Sequence, residues 1–215
     1  QLLCRLSWPR GTADAVELTA RQPILETMPH APIDKLLAGH AAYRERWLQD
    51  DRDYLRQLAS RGQSPDALFV GCSDSRVIPE LLTQSTPGQL FVVRNIANLV
   101  PPLAHADSSV GAALEYALGH LHVQHIVVCG HDLCGGVKAV VQGADLGDLA
   151  SLKEWLGGVR EAIADWPQDA DPQTRLRAAV ERDVIAQLGN LLTFPQVRAG
   201  VERGAGQLCG VPRGR

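Results

Sequence analysis

The sequence predicts an α/β fold in which buried strands lie parallel to one another. Short apolar runs rich in Val and Ile end at Gly, amphipathic stretches separate them, and polar side chains follow two of the runs directly. Strands that alternate with helices form parallel sheets. Ligands in such sheets bind outside the carboxyl ends of the strands, so the polar side chains stand where a functional site is expected.

Composition limits the class of protein. The chain has 215 residues, 45% hydrophobic residues and a formal net charge of −3, which predicts one soluble globular domain with a substantial core. There is no basic excess to indicate a nucleic-acid partner, and no apolar run approaches the roughly 18 residues of a membrane span. The five cysteines do not pair evenly and two lie close to His and Asp, which favours a reducing, cytoplasmic setting and metal binding over disulfides.

The first 27 residues show no signal-peptide pattern and are expected to be an extension that is disordered or non-native. Met28 is the only methionine, so we expect translation to start there and residues 28–215 to form the single domain. From Ile33 an apolar period predicts a helix with Asp34 as its N-cap. Its apolar stripe is expected to pack in the core or on another subunit, and it contains Leu36, His40, Tyr43 and Trp47.

A second helix is predicted from Asp51 to Arg61, where Gly62 ends it. The first strand then leads to Cys72, Asp74 and Arg76. A turn at Pro87 and Gly88 precedes a second strand at 89–95, and a third strand beginning at His125 leads to His131 and Cys134. The remaining helical stretches are predicted at 79–83, 108–121, from Gly135, 152–164 and 173–192.

Two of the strands end in side chains that bind metals. Zinc accepts Cys sulfur and His nitrogen, and three protein ligands with one open position are typical of a catalytic site. Cys72, His131 and Cys134 supply three ligands, and Asp74 is the one nearby candidate for a fourth. Either motif alone is a weak signal, but the two together, each at a strand end, are specific.

The other cysteines are assigned no metal. Cys129 lies within a predicted strand, where a small buried hydrophobic role is expected, and its spacing from Cys134 does not fit a redox pair. Cys4 and Cys209 have no neighbours of metal-ligand type and are expected to be ordinary thiols.

Four segments resemble the β-class carbonic anhydrases: CSDSRV at 72–77, FVVRNIANLVPP at 91–102, EYA at 115–117 and GHDLCGG at 130–136. Within that family the chain resembles the plant-type branch. The resemblance implies a mainly parallel central sheet flanked by helices, with N-terminal helices packed on a partner subunit. It also implies a homodimer or an assembly of dimers. One zinc ion per subunit would be held by Cys72, His131 and Cys134, with Asp74 and Arg76 as a paired dyad beside it.

The resemblance assigns further roles. Gln63 matches a residue that reaches the substrate, and Phe91 and Tyr116 match aromatic residues of the substrate pocket, although plain core packing is the alternative for both. His120 matches a proposed proton relay, or is simply solvated. Phe69 stands where relatives with an inhibitory bicarbonate site carry Trp, so that site is expected to be absent.

The implied activity is reversible hydration of carbon dioxide to bicarbonate and a proton, through a zinc-bound hydroxide. Two thiolates already neutralise the charge of zinc, so activity is expected to rise on the alkaline side of neutrality. Asp74 either orients the hydroxide or, in a closed state, binds the zinc itself. The alternatives are hydrolysis of carbon disulfide or carbonyl sulfide at the same zinc, and a non-catalytic interaction domain that zinc stabilises.

The C-terminal end departs from the family. Where an apolar strand is expected, the chain reads AGQLCGVPRGR, and its glycines and Pro212 oppose strand formation. We therefore expect the last strand of the sheet to be missing or replaced.

Overall fold

The computed structural model describes residues 31–49, 51–105, 108–164, 171–204 and 206–213. The expectations for the N-terminal extension, Met28 and Cys4 lie outside these residues. The chain divides into two compact units between Asp53 and Tyr54. In the first unit, helix α1 spans Ala31–Gln49. Helix α2, Arg52–Arg61, begins at the boundary and ends before Gly62, which has a positive φ of 75°.

Helix α1 begins at Ala31, before the predicted N-cap Asp34. Asp34 therefore lies in the first turn and is not the N-cap, although an acidic side chain there still interacts favourably with the helix dipole. Four of its large apolar side chains are exposed: Ile33 at 48%, Leu36 at 68%, Leu37 at 53% and Tyr43 at 48%. Packing of this stripe on a partner subunit stays a prediction.

The second unit contains a four-stranded parallel sheet in the order β2-β1-β3-β4. The strands are β1, Ala67–Cys72; β2, Leu90–Asn95; β3, His125–His131; and β4, Gln207–Arg213. β1 and β3 are parallel neighbours at the centre, and they are nearly continuous buried runs, as expected where both faces of a sheet are covered. The prediction that both polar clusters reach the same edge is confirmed.

Seven further α-helices connect or cover the strands in the described part of this unit. They are α3, Pro79–Thr83; α4, Ser108–Glu115; α5, Gly135–Val141; α6, Ala150–Trp155; α7, Gly157–Ala162; α8, Pro172–Leu191; and α9, Pro195–Glu202. The predicted helix at 152–164 is thus two short helices, and α9 was not predicted. Asp171 caps α8 by accepting hydrogen bonds from the backbone N–H groups of Gln173 and Thr174.

The helix predicted at 108–121 does not stay α-helical to its predicted end, because α4 ends at Glu115. Val110 and Leu114 of α4, and Ala117 just after it, are at most 3% exposed and form a buried apolar face. From Tyr116 to His120 the backbone forms a π-helical turn. Such turns are rare and are found frequently at functional sites.

The prediction of a missing last strand is wrong. β4 pairs with β3 along its whole length, from Gln207 beside His125 to Arg213 beside His131. Gly210 lets α8 pack closely, because a Cβ atom there would lie 2.8 Å from side-chain atoms of Val184 and Leu188. In the described sheet β4 is an edge strand, where a proline is tolerated.

Among the helices that the structure describes, none is both long enough and apolar enough to cross a membrane.

Candidate metal centre

The three predicted ligands meet at the carboxyl edge of the sheet. Cys72 is the last residue of β1, His131 is the last residue of β3, and Cys134 immediately precedes α5. Their donor atoms all lie within 4.8 Å of one another, and all three residues are buried. In a search of the described residues for three or more His, Cys, Asp or Glu side chains that could hold a metal ion together, these three form such a group.

A tight turn brings His131 and Cys134 together. Leu133 adopts a left-handed backbone conformation, with φ of 57°, which is uncommon for a residue with a side chain. Gly136 then allows the first turn of α5 to pack against the segment after β2. A Cβ atom at Gly136 would lie 3.0 Å from Ile96 and 3.1 Å from Ala97. The close packing fixes Cys134 beside the end of β1.

The orientation of His131 leaves one ring nitrogen available to a metal. Nδ1 lies 3.0 Å from the carbonyl oxygen of Asp132, which accepts a hydrogen bond when Nδ1 carries the proton. Nε2 is buried and has no hydrogen-bond partner among the residues that the structure describes. A buried polar atom without a partner is costly, and a metal ion would satisfy this one.

The two thiols also fit a bound cation. Their sulfur atoms are 4.0 Å apart, and the interaction with Cys134 holds the pKa of Cys72 well below its usual value. His131 and the backbone N–H groups of Asp74 and Ala97 act in the same direction on Cys72. The same sulfur contact, together with burial, raises the pKa of Cys134. A divalent cation would allow both sulfurs to be thiolates, so two Cys and one His fit zinc.

The carboxylate of Asp74 is bound by Arg76. Arg76 Nε donates to Oδ1 at 2.9 Å and Nη2 donates to Oδ2 at 2.7 Å, while the Arg76 backbone N–H also donates to Oδ1 at 3.0 Å. These hydrogen bonds hold the pKa of Asp74 far below its usual range. Oδ2 lies 3.9 Å from His131 Nε2, so the carboxylate borders the three donors while Arg76 holds it.

Arg94 is a supporting residue that the sequence analysis missed. Its Nε donates to the carbonyl oxygen of Cys72 at 3.0 Å, and its Nη2 donates to that of Asp74 at 2.7 Å. The backbone of the first cluster is therefore fixed by a side chain from β2. An arginine inside the apolar run FVVRN was the available signal.

Four other predicted site residues lie away from the three donors. In the register of β1 and β2, Phe91 lies beside Leu68 near the start of β1, whereas Asn95 lies beside Cys72 at its end. Phe91 therefore belongs to the amino-terminal half of the sheet. The rings of Phe91 and Tyr116 are 5.9 Å apart, and those of Tyr116 and His120 are 4.8 Å apart. Gln63 is exposed in the segment that leads into β1. The fold thus groups the aromatic residues with one another and not with this chain's own metal donors.

Comparison with known proteins gives a consistent result. The model of a protein family described as carbonic anhydrase matches residues 67–212. A carbonic anhydrase of Pseudomonas aeruginosa is 46% identical over 157 residues, which cover 72% of this chain and 71% of that protein. A carbonic anhydrase of Synechococcus elongatus is 37% identical over 180 residues, which cover 82% of this chain and 66% of that protein. One from a Synechocystis strain is 38% identical, and 64% of its length is covered. The chain thus spans slightly less than two thirds of these two cyanobacterial relatives.

Solved structures show the same similarity in three dimensions. The β-carbonic anhydrase CcaA superposes with a TM-score of 0.80 at 36% identity, covering 85% of this chain and 83% of that one. A tetrameric β-carbonic anhydrase of Sordaria macrospora superposes with a TM-score of 0.77 at 29% identity, covering 85% of this chain and 92% of that one.

Proposed function

The chain belongs to the β-class carbonic anhydrase family, and from this premise we propose that it catalyses the reversible hydration of carbon dioxide to bicarbonate and a proton. The observation that carries the proposal is the buried group of Cys72, His131 and Cys134, bordered by a carboxylate that an arginine holds in place. Assignment to the plant-type branch stays a prediction.

We propose zinc as the metal, one ion per subunit, held by the sulfurs of Cys72 and Cys134 and by Nε2 of His131. When bound, zinc acts as a Lewis acid and lowers the pKa of water, which supplies a nucleophile near neutral pH. The two thiolates donate more negative charge than imidazoles would, and this favours activity on the alkaline side of neutrality. The hydrogen bond between His131 Nδ1 and the Asp132 carbonyl fixes the ring so that Nε2 faces the sulfurs.

Asp74 is proposed to orient the attacking water. Its low pKa keeps it ionised, so its oxygens are acceptors and not donors over the working pH range. Arg76 occupies both oxygens with a bidentate contact and thereby fixes the plane of the carboxylate. A free lone pair on Asp74 Oδ2 would accept a hydrogen bond from the attacking water. A lone pair of the water oxygen would then be directed at carbon dioxide.

A second copy of the chain is proposed to complete the substrate pocket, as a homodimer or an assembly of dimers. Gln63, Phe91 and Tyr116 belong to the amino-terminal side of the sheet, and β1 alone separates its two ends by about 17 Å at roughly 3.3 Å per residue. A partner subunit could present these residues to the metal donors of this one, with Gln63 donating to a developing carboxylate oxygen. His120 stacks near Tyr116 and is retained as the proposed proton relay.

The cellular setting is proposed from the ligand chemistry. Two cysteines that must stay reduced to bind zinc favour the cytoplasm over oxidising compartments. The proposed partners are the substrate and further copies of the chain, with neither nucleic acid nor membrane among them.

Stopped-flow measurement of carbon dioxide hydration, with a pH indicator, tests the function. Zinc-replete protein is expected to accelerate hydration with a rate that rises towards alkaline pH, to lose activity when a chelator removes zinc, and to regain it when zinc is restored. The same sample is assayed for sulfide release from carbon disulfide and carbonyl sulfide. Sulfide release without carbon dioxide hydration would replace the proposed substrate, and inactivity towards all three would overturn the proposal.

A further inference from the structure

The loop that follows β2 lies beside the metal donors, and the side chain that closes it has no part in the chemistry proposed above. Asn95 is the last residue of β2 and lies beside Cys72 in the register of β1 and β2. Asn95 Oδ1 accepts a hydrogen bond from the backbone N–H of Leu99 at 2.7 Å, and its Nδ2 donates to the Leu99 carbonyl at 2.8 Å. One carboxamide therefore closes a loop of five residues, 95–99.

The closed loop has a strained backbone. Ala97 and Asn98 adopt successive left-handed conformations, with φ of 62° and 49°. Residues with a Cβ atom rarely adopt this conformation, and it persists where the surroundings enforce it. Leu99 is 2% exposed, and a buried backbone group that loses its hydrogen-bond partner is costly. The two contacts of Asn95 therefore oppose the opening of the loop.

The loop forms an apolar wall beside the two thiols. Ala97 and Leu99 are 0% and 2% exposed, and they belong to the same packed cluster of buried side chains as Cys72 and Cys134. On the side of Cys134, a Cβ atom at Gly136 would lie 3.1 Å from the Cβ atom of Ala97. The shape of the loop therefore decides how closely this wall packs on the metal donors.

Two helices hold the outer side of the loop. Trp155 Nε1, on α6, donates to the carbonyl oxygen of Ile96 at 2.8 Å. Asn98 Nδ2 donates at 3.3 Å to the carboxylate of Asp183, which is 1% exposed on α8 and also accepts a hydrogen bond from Gln187 Nε2 at 2.9 Å. These contacts attach the loop to its neighbours, whereas the contacts of Asn95 lie within the loop and set its shape.

We propose that Asn95 is a positioning residue for the metal centre, which holds Ala97 and Leu99 against the two sulfur donors. The apolar groups around a metal site control the access of solvent to it. A closed loop keeps the thiols in place and out of water, which favours binding of an ion between them. The inference rests on the metal site of the proposed function.

Zinc and cobalt(II) binding test this role without an activity assay. The variants are Asn95→Ala, which removes both contacts, Leu99→Ala, which removes part of the wall, and the double variant. Asn190→Ala is the matched control for the first, because it also removes a side-chain hydrogen bond to the backbone, at Val100 just after the loop. Leu114→Ala is the matched control for the second, because Leu114 is 1% exposed in the hydrophobic cluster that does not include the thiols.

The readouts are zinc affinity, measured against a competing chelator, and the sulfur-to-cobalt charge-transfer band. Asn95→Ala and Leu99→Ala are each expected to weaken zinc binding about 10-fold, on the scale usual for groups that support a metal ligand. Both should move the band to shorter wavelength, because water that reaches a thiolate donates hydrogen bonds to it and lowers the energy of its electrons.

The double variant should bind zinc no more weakly than the weaker single variant, because both changes open the same wall. The two control variants should leave the band and the affinity unchanged. An unshifted band in Asn95→Ala, an equal shift in either control, or additive losses in the double variant would overturn the inference.

Two further outcomes are separable. If Asn95→Ala does not fold, Asn95→Ser decides in the same way, because the serine side chain is too short to make both contacts. Wild-type protein that binds neither metal would overturn the proposed function as well, whereas wild-type binding with unaffected variants would overturn the role of Asn95 alone.

Discussion

The guanidinium of Arg76 holds the Asp74 carboxylate by two parallel hydrogen bonds, of 2.9 and 2.7 Å, while Oδ2 of that carboxylate lies 3.9 Å from His131 Nε2. A rotation of the Asp74 side chain would suffice to direct an oxygen at the metal donors. The contact with Arg76 therefore selects between an orienting carboxylate and a competing ligand.

Replacing Arg76 tests this selection. Arg76→Ala is expected to lower the turnover of carbon dioxide hydration by about 10- to 100-fold, because the freed carboxylate can take the metal position that water needs. Arg76→Lys should have an intermediate rate, since lysine keeps the charge but cannot form the bidentate contact. Stopped-flow rates for zinc-replete samples measure both. Turnover of Arg76→Ala equal to that of the wild type would show that the dyad is idle.

Cysteine and histidine replacements should separate the ligands from a buried neighbour. Cys72→Ser and His131→Ala are expected to retain little zinc, because each removes one of three protein donors. Cys129→Ser is the matched control, since Cys129 is a buried thiol in β3 that lies two residues before His131. It should retain about one zinc per chain. Elemental analysis of purified, dialysed protein measures the zinc content of each variant. A zinc loss in Cys129→Ser equal to that in Cys72→Ser and His131→Ala would contradict the assignment of the ligands.

Gly130 tests the packing that supports His131. A Cβ atom at this position would lie 2.6 Å from Val184 Cγ2 and 3.0 Å from Val180 Cγ1, so Gly130→Ala must displace α8. We expect a loss of about 1–3 kcal/mol in the free energy of unfolding, measured in urea. Gly189→Ala, where no described atom outside the chain neighbours and the backbone of α8 itself lies within 4 Å of the added methyl group, should be neutral or stabilising by up to about 1 kcal/mol. If Gly189→Ala lowered the free energy of unfolding more than Gly130→Ala, close packing at Gly130 would be unimportant.

The buried carboxylate of Asp183 should make stability fall as pH rises. Burial raises its pKa to about 7 in the folded chain from 3.8, so between these values the folded state binds more protons than the unfolded state. Stability conferred by this group is therefore present below about pH 4 and is lost as the pH rises through about 7.

Asp183→Asn lacks the titrating group and removes that slope. The free energy of unfolding of Asp183→Asn, minus that of the wild type, should become more positive by on the order of a few kcal/mol between pH 4 and pH 8. Urea titrations at both pH values on the two proteins give the difference. A difference that does not change with pH would contradict the raised pKa.

The grouping of the three candidate metal donors could be predicted because their signals are local in the sequence. Cys72 and His131 each end an apolar run, and parallel strands must bring such ends to one edge. The supporting residues could not be found in this way. Arg94 reaches the backbone of a neighbouring strand, and Asp183 meets Asn98 across 85 positions of the chain, so their roles depend on tertiary packing.

The error at the last strand also has a physical reason. The glycines and Pro212 argued against β4, but Gly210 is needed for the close approach of α8 and a proline is compatible with an edge strand. The assignment of Phe91 and Tyr116 to the substrate pocket rests on the motif alone and stays a prediction, because a motif does not show at which end of a strand, or in which subunit, a residue acts. Strand register places Phe91 on the amino-terminal side of the sheet, and the ring of Tyr116 lies 5.9 Å from that of Phe91.

The most direct test of the central claim is X-ray absorption at the zinc edge of wild-type protein loaded with zinc. The account predicts two sulfur ligands and one imidazole nitrogen from the protein, supplied by Cys72, Cys134 and His131. A spectrum with four protein ligands at every pH, or with no sulfur in the coordination shell, would contradict it.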